Sequence, residues 1–179
     1  NSTAVLINGA IGTGVSEVEV DRRTLTSDSG PSQKSGGATR LEASHNGYEA
    51  RYGLTHRRIL ILRDDGTELR GEDLLVPGGR KGKNGKVGFA IRFHLGPGVD
   101  VRLSEDGQGA GLALPDGSLW QFRAGGGQLA IEESIWADGQ GGVEVAGAGV
   151  DLPEQRVHRE VGEADRAVVE VEDEVGHVV

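Results

Sequence analysis

Residues 55–76 read "THRRILILRDDGTELRGEDLLV". The apolar run from Ile59 to Leu62 stops at Asp64-Asp65-Gly66, and a second extended run returns through Leu69 to Val76. Asp-Gly between two such runs signals a β-hairpin. Gly accepts the positive φ of a tight turn, and Asp hydrogen-bonds the backbone two residues on. The stretch predicts two antiparallel strands, and the same pattern recurs on both sides of it.

Upstream, Ser2 to Ile7 reads as a buried strand, Val15 to Val20 alternates with one slip, and Thr39 to His45 alternates again. Downstream, "VGFAIRFHL" (87–95) alternates strictly. That period puts Val87, Phe89, Ile91, Phe93 and Leu95 on one face and Arg92 and His94 on the other. Val99 to Gly126 reads as a meander turning at Asp106-Gly107 and at Asp116-Gly117, and Gln128 to Gly139 adds a last strand. Residues 27–37 and the basic 77–86 read as loops. No stretch carries a 3.6-residue period, so residues 1–139 are predicted to form an all-β antiparallel β-sandwich of seven to ten strands.

Composition agrees. Apolar residues make up 36%, aromatics 4%, and there are 31 glycines, which suits short strands joined by turns. The absence of Cys excludes disulfides and thiolate metal sites. A formal charge of −9 argues against a nucleic-acid partner, which demands a basic face. No apolar run reaches the ~18 residues of a membrane span. The chain opens on Asn1 within a strand pattern and holds no Met, so it is expected to be a fragment, with any export signal upstream.

Residues 140–179 differ from the rest. From Val143 onward ten acids face three bases, a net of −7 out of the chain's −9, and no Asn, Ser, Thr, Lys or aromatic residue occurs. Such a composition buries little surface against its ordering entropy. It predicts an acidic low-complexity tail, irregular and packing little against the sandwich. Its origin is either an out-of-frame reading of a GC-rich gene or a genuine acidic tail.

Chemistry-bearing residues crowd just before the hairpin: His45, Tyr48, Arg51, Tyr52, His56, Arg57 and Arg58 fall within fourteen residues. As metal ligands, His45 and His56 need a third partner such as Asp64 or Asp73, and no ligand spacing supplies one. Tyr48 as a general acid with His45 or His56 as base is chemically sound but needs a cleft. Two further readings are open. Arg57 and Arg58 pair with acids such as Glu72 and Asp73 at a polar strand end, or His56, Arg57 and Arg58 face an anionic ligand.

The order of these motifs resembles the C-terminal β domain of heparinase II/III-like proteins. The matching residues are His45, Gly47 and Tyr48; Tyr52-Gly53; His56-Arg57-Arg58 and the hairpin; Phe93-His94-Leu95 with Pro97-Gly98; Trp120 after a Pro-Asp-Gly turn; and Glu132 to Ser134. The likeness covers residues 1–139 and breaks off after Asp138-Gly139. It implies a parent in which an upstream α-toroid packs on this β domain and an anionic, uronic-acid-containing polysaccharide (heparin- or heparan-like) is cleaved by β-elimination. The family's catalytic and metal-binding motifs would lie upstream, so this segment is expected to hold no catalytic residue, metal or cofactor of its own. His45, Tyr48, His56 and Arg57 are its candidate substrate-binding residues. The resemblance puts the parent at the cell envelope or periplasm, with the cytoplasm as alternative. The competing function is a non-catalytic carbohydrate-binding or structural β module.

Overall fold

The computed structural model describes residues 3–26, 36–78, 87–125, 129–137, 143–157 and 165–173. The polar stretch 27–35 and the basic stretch 79–86 lie outside the described residues. Twelve strands run through the described part: β1 (Thr3–Ile7), β2 (Val18–Leu25), β3 (Ala38–Tyr48), β4 (Leu54–Arg63), β5 (Glu68–Pro77), β6 (Val87–His94), β7 (Asp100–Leu103), β8 (Gly109–Ala113), β9 (Leu119–Gly125), β10 (Ala130–Ala137), β11 (Val143–Val157) and β12 (Asp165–Asp173). One helical turn, α1 (Glu49–Tyr52), follows β3. Among the described residues no helix is long and apolar enough to cross a membrane.

The chain divides into two compact units. The first comprises Asn1–Ile11, Lys86–His158 and Asp173–Val179. Its strands form a four-stranded sheet in the order β1-β6-β11-β10 and a three-stranded antiparallel run β9-β8-β7. The alternation of residues 87–95 gives the predicted face. Phe89 and Ile91 are buried, opposite Ile7 and Val5 of β1. Phe93 meets Phe122 of β9 edge-to-face at 5.4 Å, which joins the two layers as a β-sandwich. Ala110, Leu112, Phe122 and Ala124 complete this core.

The second unit comprises Gly12–Gly85 and Arg159–Glu172. Its antiparallel strands lie in the order β2-β3-β4-β5-β12. Register across it is continuous: Ala43, Arg58 and Asp73 stand abreast, and so do His45, His56 and Leu75.

Three Asp-Gly turns use one device. Gly66, Gly107 and Gly117 sit at φ of 75°, 67° and 87°. Each glycine N–H returns to the carbonyl three residues back. The preceding Asp65, Asp106 and Asp116 accept the backbone N–H of Thr67, Gln108 and Ser118 at 2.9–3.0 Å. These are the turns the dipeptides announce.

Of residues 140–179, read as an irregular tail, the described parts 143–157 and 165–173 are the strands β11 and β12, and the remainder lies outside the described residues. β11 lies between β6 and β10, pairing Val150 with Phe93 and Ile131. β12 pairs with β5 from Asp165↔Leu75 to Glu172↔Glu68. A period of two is present in "VEVAGAGV" and "AVVEVE", but the acidic composition hides it. Backbone ladders satisfy their own polar groups whatever the side-chain chemistry. A chain cut after Gly142 is therefore expected to lose the ladder between β6 and β10. Its thermal transition, followed by far-UV circular dichroism, should broaden and drop by well over the ~4–8 °C that about 1 kcal/mol moves a small domain. A midpoint within a few degrees of the full chain would show these strands to be dispensable.

Candidate functional site

β3, β4 and β5 present one face on which polar residues are buried together. Leu54, His56 and Arg58 alternate along β4; His45 and Asp73 stand beside them on β3 and β5. A bulge interrupts β3 between His45 and Tyr48 and returns Tyr48 to this face opposite Leu54. Tyr48 and His56 are 3% and 7% exposed, and Asp73 is 6% exposed.

Hydrogen bonds join them in a chain. The Gly47 N–H donates to His45 Nδ1 at 3.1 Å. His45 Nε2 faces His56 Nδ1 at 3.2 Å, and His56 Nε2 faces Asp73 Oδ1 at 2.6 Å. Arg58 grips the same carboxylate through Nε at 2.7 Å and Nη2 at 3.0 Å. These contacts fix the tautomers. A backbone N–H only donates, so His45 Nδ1 is an acceptor and its proton sits on Nε2. His45 Nε2–H then donates to His56 Nδ1, and His56 Nε2–H donates to the Asp73 carboxylate. The relay runs one way, from Gly47 to Asp73, and both nitrogens of both rings are engaged.

The electrostatics follow from burial. Burial foremost, then the charges of His56 and Arg58, holds the His45 imidazole below its ordinary 6.5. Burial alone would raise the Asp73 carboxyl; hydrogen bonds from His56 and Arg58, with the Arg58 charge, outweigh it and hold Asp73 below 3.8. Burial raises the Tyr48 hydroxyl above 10.0, offset in part by a hydrogen bond with the Gly12 backbone. Gly12 packs so closely that an added Cβ would lie 3.0 Å from Tyr48 Cζ.

Arg57 points to the opposite face. It pairs with Glu42, which also holds Arg40, and Arg40 stands 3.9 Å from Asp21. These groups, with Glu19, Arg23 and Ser44, line an open groove of about 680 Å3 across β2, β3 and β4. Arg57 Nε has no hydrogen-bond partner among the described residues.

The structure thus brings together three of the four candidate residues, His45, Tyr48 and His56, and separates Arg57 from them. It adds Asp73 and Arg58 as the groups that complete the relay. Their pairing follows once the hairpin register is known, since Asp73 falls directly opposite Arg58. Among the described residues no group of three His, Cys, Asp or Glu side chains is arranged to hold a metal ion.

Residues 2–150 match the family model of the heparinase II/III-like C-terminal domain. FtsZ-localized protein C of Caulobacter vibrioides is 35% identical over 92 residues, which cover 49% of this chain and 16% of that protein. Heparan sulfate lyase HepC from Pedobacter heparinus shares the fold with a TM-score of 0.66 at 12% identity, over 95% of this chain and 23% of that one. A heparinase III structure matches at 0.64 and 12% identity over the same shares. The chain therefore spans only a minor part of the length of these proteins.

Two expectations follow for stability. Removing one partner of a buried ion pair leaves the other charge uncompensated, so Arg58→Met should cost about 3–5 kcal/mol, read from urea unfolding. A cost below about 1 kcal/mol would show Asp73 to be neutralised otherwise. Because folding lowers the His45 pKa, its contribution is complete above pH 6.5 and is lost as pH falls through the folded value. The stability curve should bend down below pH 6.5, before carboxylates with ordinary values near 3.8 protonate. That upper limb should flatten in His45→Gln; an unchanged limb would assign it to another group.

Proposed function

The chain belongs to the heparinase II/III-like C-terminal domain family, and from that premise we propose that it is the β module of a polysaccharide lyase. The parent would act on uronic-acid-containing, heparin- or heparan-like glycans by β-elimination, at the cell envelope. The module supplies a glycan-facing surface beside an upstream α-toroid and has no turnover of its own. The observation that carries this reading is the closed relay. β-Elimination needs a base to take the proton beside the uronate carboxyl and an acid to protonate the leaving oxygen. His45 and His56 spend both ring nitrogens on internal partners, and Tyr48 is buried with its hydroxyl tied to Gly12. The fold likeness to heparan sulfate lyases supports the substrate class.

On this reading His45, Tyr48 and His56 shape the module, and Arg57 meets the glycan from the groove on the other face. Its guanidinium is part-exposed where it lines the groove and offers charge-assisted donors to a carboxylate or sulfate. The chain carries −9, so binding is local and salt-sensitive.

A second reading, a non-catalytic carbohydrate-binding or structural module, is favoured by one observation. FtsZ-localized protein C is named for a location and not for a reaction.

One experiment addresses both. The 179-residue chain is incubated with heparan sulfate, the ultraviolet absorbance of unsaturated uronate is followed, and binding is measured by calorimetry. The expected result is binding without absorbance, weakened about tenfold in Arg57→Ala, as expected for one charged hydrogen bond of roughly 1.5–3 kcal/mol. Turnover abolished in Tyr48→Phe would overturn the assignment of a non-catalytic module. No binding would favour the structural reading.

A further inference from the structure

The relay has one end that no strand ladder uses. Asn46 and Gly47 are the unpaired residues of the β3 bulge, and they form an Asn-Gly dipeptide. Three of its groups, each of which takes part in imide formation, are held by neighbours. The Gly47 N–H donates to His45 Nδ1 at 3.1 Å. The Asn46 Oδ1 accepts from two backbone amides, Ser16 N at 3.0 Å and Glu17 N at 3.2 Å. The Asn46 Nδ2 donates to the exposed Ser16 Oγ at 2.9 Å. Each contact suits imide formation at the atom it touches. A backbone amide nitrogen is a poor nucleophile until a base takes its proton. Negative charge developing on a carbonyl oxygen is stabilised by preorganised N–H donors. A departing amide nitrogen needs a proton, and here it faces a hydroxyl open to water.

We propose that Asn46-Gly47 is a self-modification site, at which the folded chain closes a succinimide and opens it to aspartate or isoaspartate, with His45 as the general base.

The Gly47 N–H proton passes to His45 Nδ1, and the freed nitrogen attacks Asn46 Cγ. The resulting oxyanion lies between the Ser16 and Glu17 amides. Collapse breaks the Cγ–Nδ2 bond. The nitrogen leaves as ammonia after taking up one proton, returned from His45 through solvent at Ser16. Water then adds across one of the two imide C–N bonds. Opening at Cγ gives aspartate, and opening at the main-chain carbonyl gives isoaspartate. Water enters, ammonia leaves, and nothing is oxidised or reduced.

The rest of the relay supports the base. A proton gained by His45 is shared through its Nε2–H with His56 Nδ1, and His56 faces the Asp73 carboxylate at 2.6 Å. The positive charge formed during attack is compensated within the network. Burial also keeps the His45 lone pair free of protons at neutral pH. Isoaspartate adds a main-chain carbon to the bulge. It pulls the Gly47 N–H off His45 and loosens the segment clamped by Thr13 N→Gly47 O at 2.9 Å and by Asn46.

The chain contains its own controls. Asn8-Gly9 and Asn84-Gly85 are preceded by Ile7 and Lys83, not by histidine. Asn8 is tied to Gly88 by two hydrogen bonds. The full chain is incubated at neutral pH, in buffer and in denaturant, and peptide mapping follows aspartate and isoaspartate at the three positions. Position 46 is expected to convert at least about tenfold faster folded than unfolded, a floor set below the roughly 10²–10⁴ that a positioned base supplies. Position 8 should convert more slowly folded than unfolded. His45→Gln should slow position 46 about tenfold or more and leave position 84 unchanged. Folding that protects position 46, or a folded His45→Gln chain converting at the wild-type rate, overturns the proposal. If His45→Gln does not fold, the wild-type ratio of folded to unfolded rates decides alone.

Discussion

A carboxylate buried among strands must be neutralised where it stands, and the second unit is arranged around that requirement. Asp73 is the acid in question. Its ordinary solvation is worth several kcal/mol, which packing alone does not return. Arg58 answers it with two hydrogen bonds from directly across the β4–β5 ladder, and His56 answers it diagonally. Satisfying His56 in turn requires an N–H donor at its Nδ1, which His45 supplies from β3. Satisfying His45 requires an amide donor, which the bulge supplies at Gly47. One buried charge thus sets the register of three strands and the place of an irregularity. Only Tyr48, Leu54 and Leu75 are buried apolar residues of this unit among the described residues, so the relay does much of the work that packing does elsewhere.

The first unit relies on the opposite economy. Its core is apolar and small-residued, with Ile7 and Ile91 fully buried and Ala110 and Ala124 allowing the layers to approach. Removing a fully buried isoleucine from water contributes about 1.5–3 kcal/mol, and no polar network is needed to hold the register. Strand pairing and one aromatic contact suffice there. The contrast explains why the chemistry-bearing residues gather in the second unit: burying polar groups together costs less than burying each alone, and the resulting network points at a bulge.

Much of this was legible in the residues and some was not. The Asp-Gly turns and the alternation of 87–95 carry their own physical mechanism, so hairpin and core face followed directly. The crowding of His45, Tyr48 and His56 was visible, but not its inward direction, because a bulge of two residues changes the face on which a side chain falls. Arg57 and Arg58 are adjacent, so a strand must send them to opposite faces. Alternation shows that one of them meets Asp73; only the register shows which. Strands β11 and β12 were hidden because an acidic composition obscures their period of two. The family match, running to residue 150, also extends past the point where the motif order breaks off.

The central claim is that the relay is closed and directional, with His45 and His56 each held as the Nε2–H tautomer. Nitrogen-15 NMR of the imidazole rings tests it directly, since the two tautomers and the cation have distinct nitrogen shifts. At neutral pH the account requires both rings in the Nε2–H form, with the Nδ1 of His45 coupled to the Gly47 N–H. A His45 ring protonated on Nδ1 would contradict it, because the amide of Gly47 would then face a second donor and the chain of hydrogen bonds would have no consistent direction.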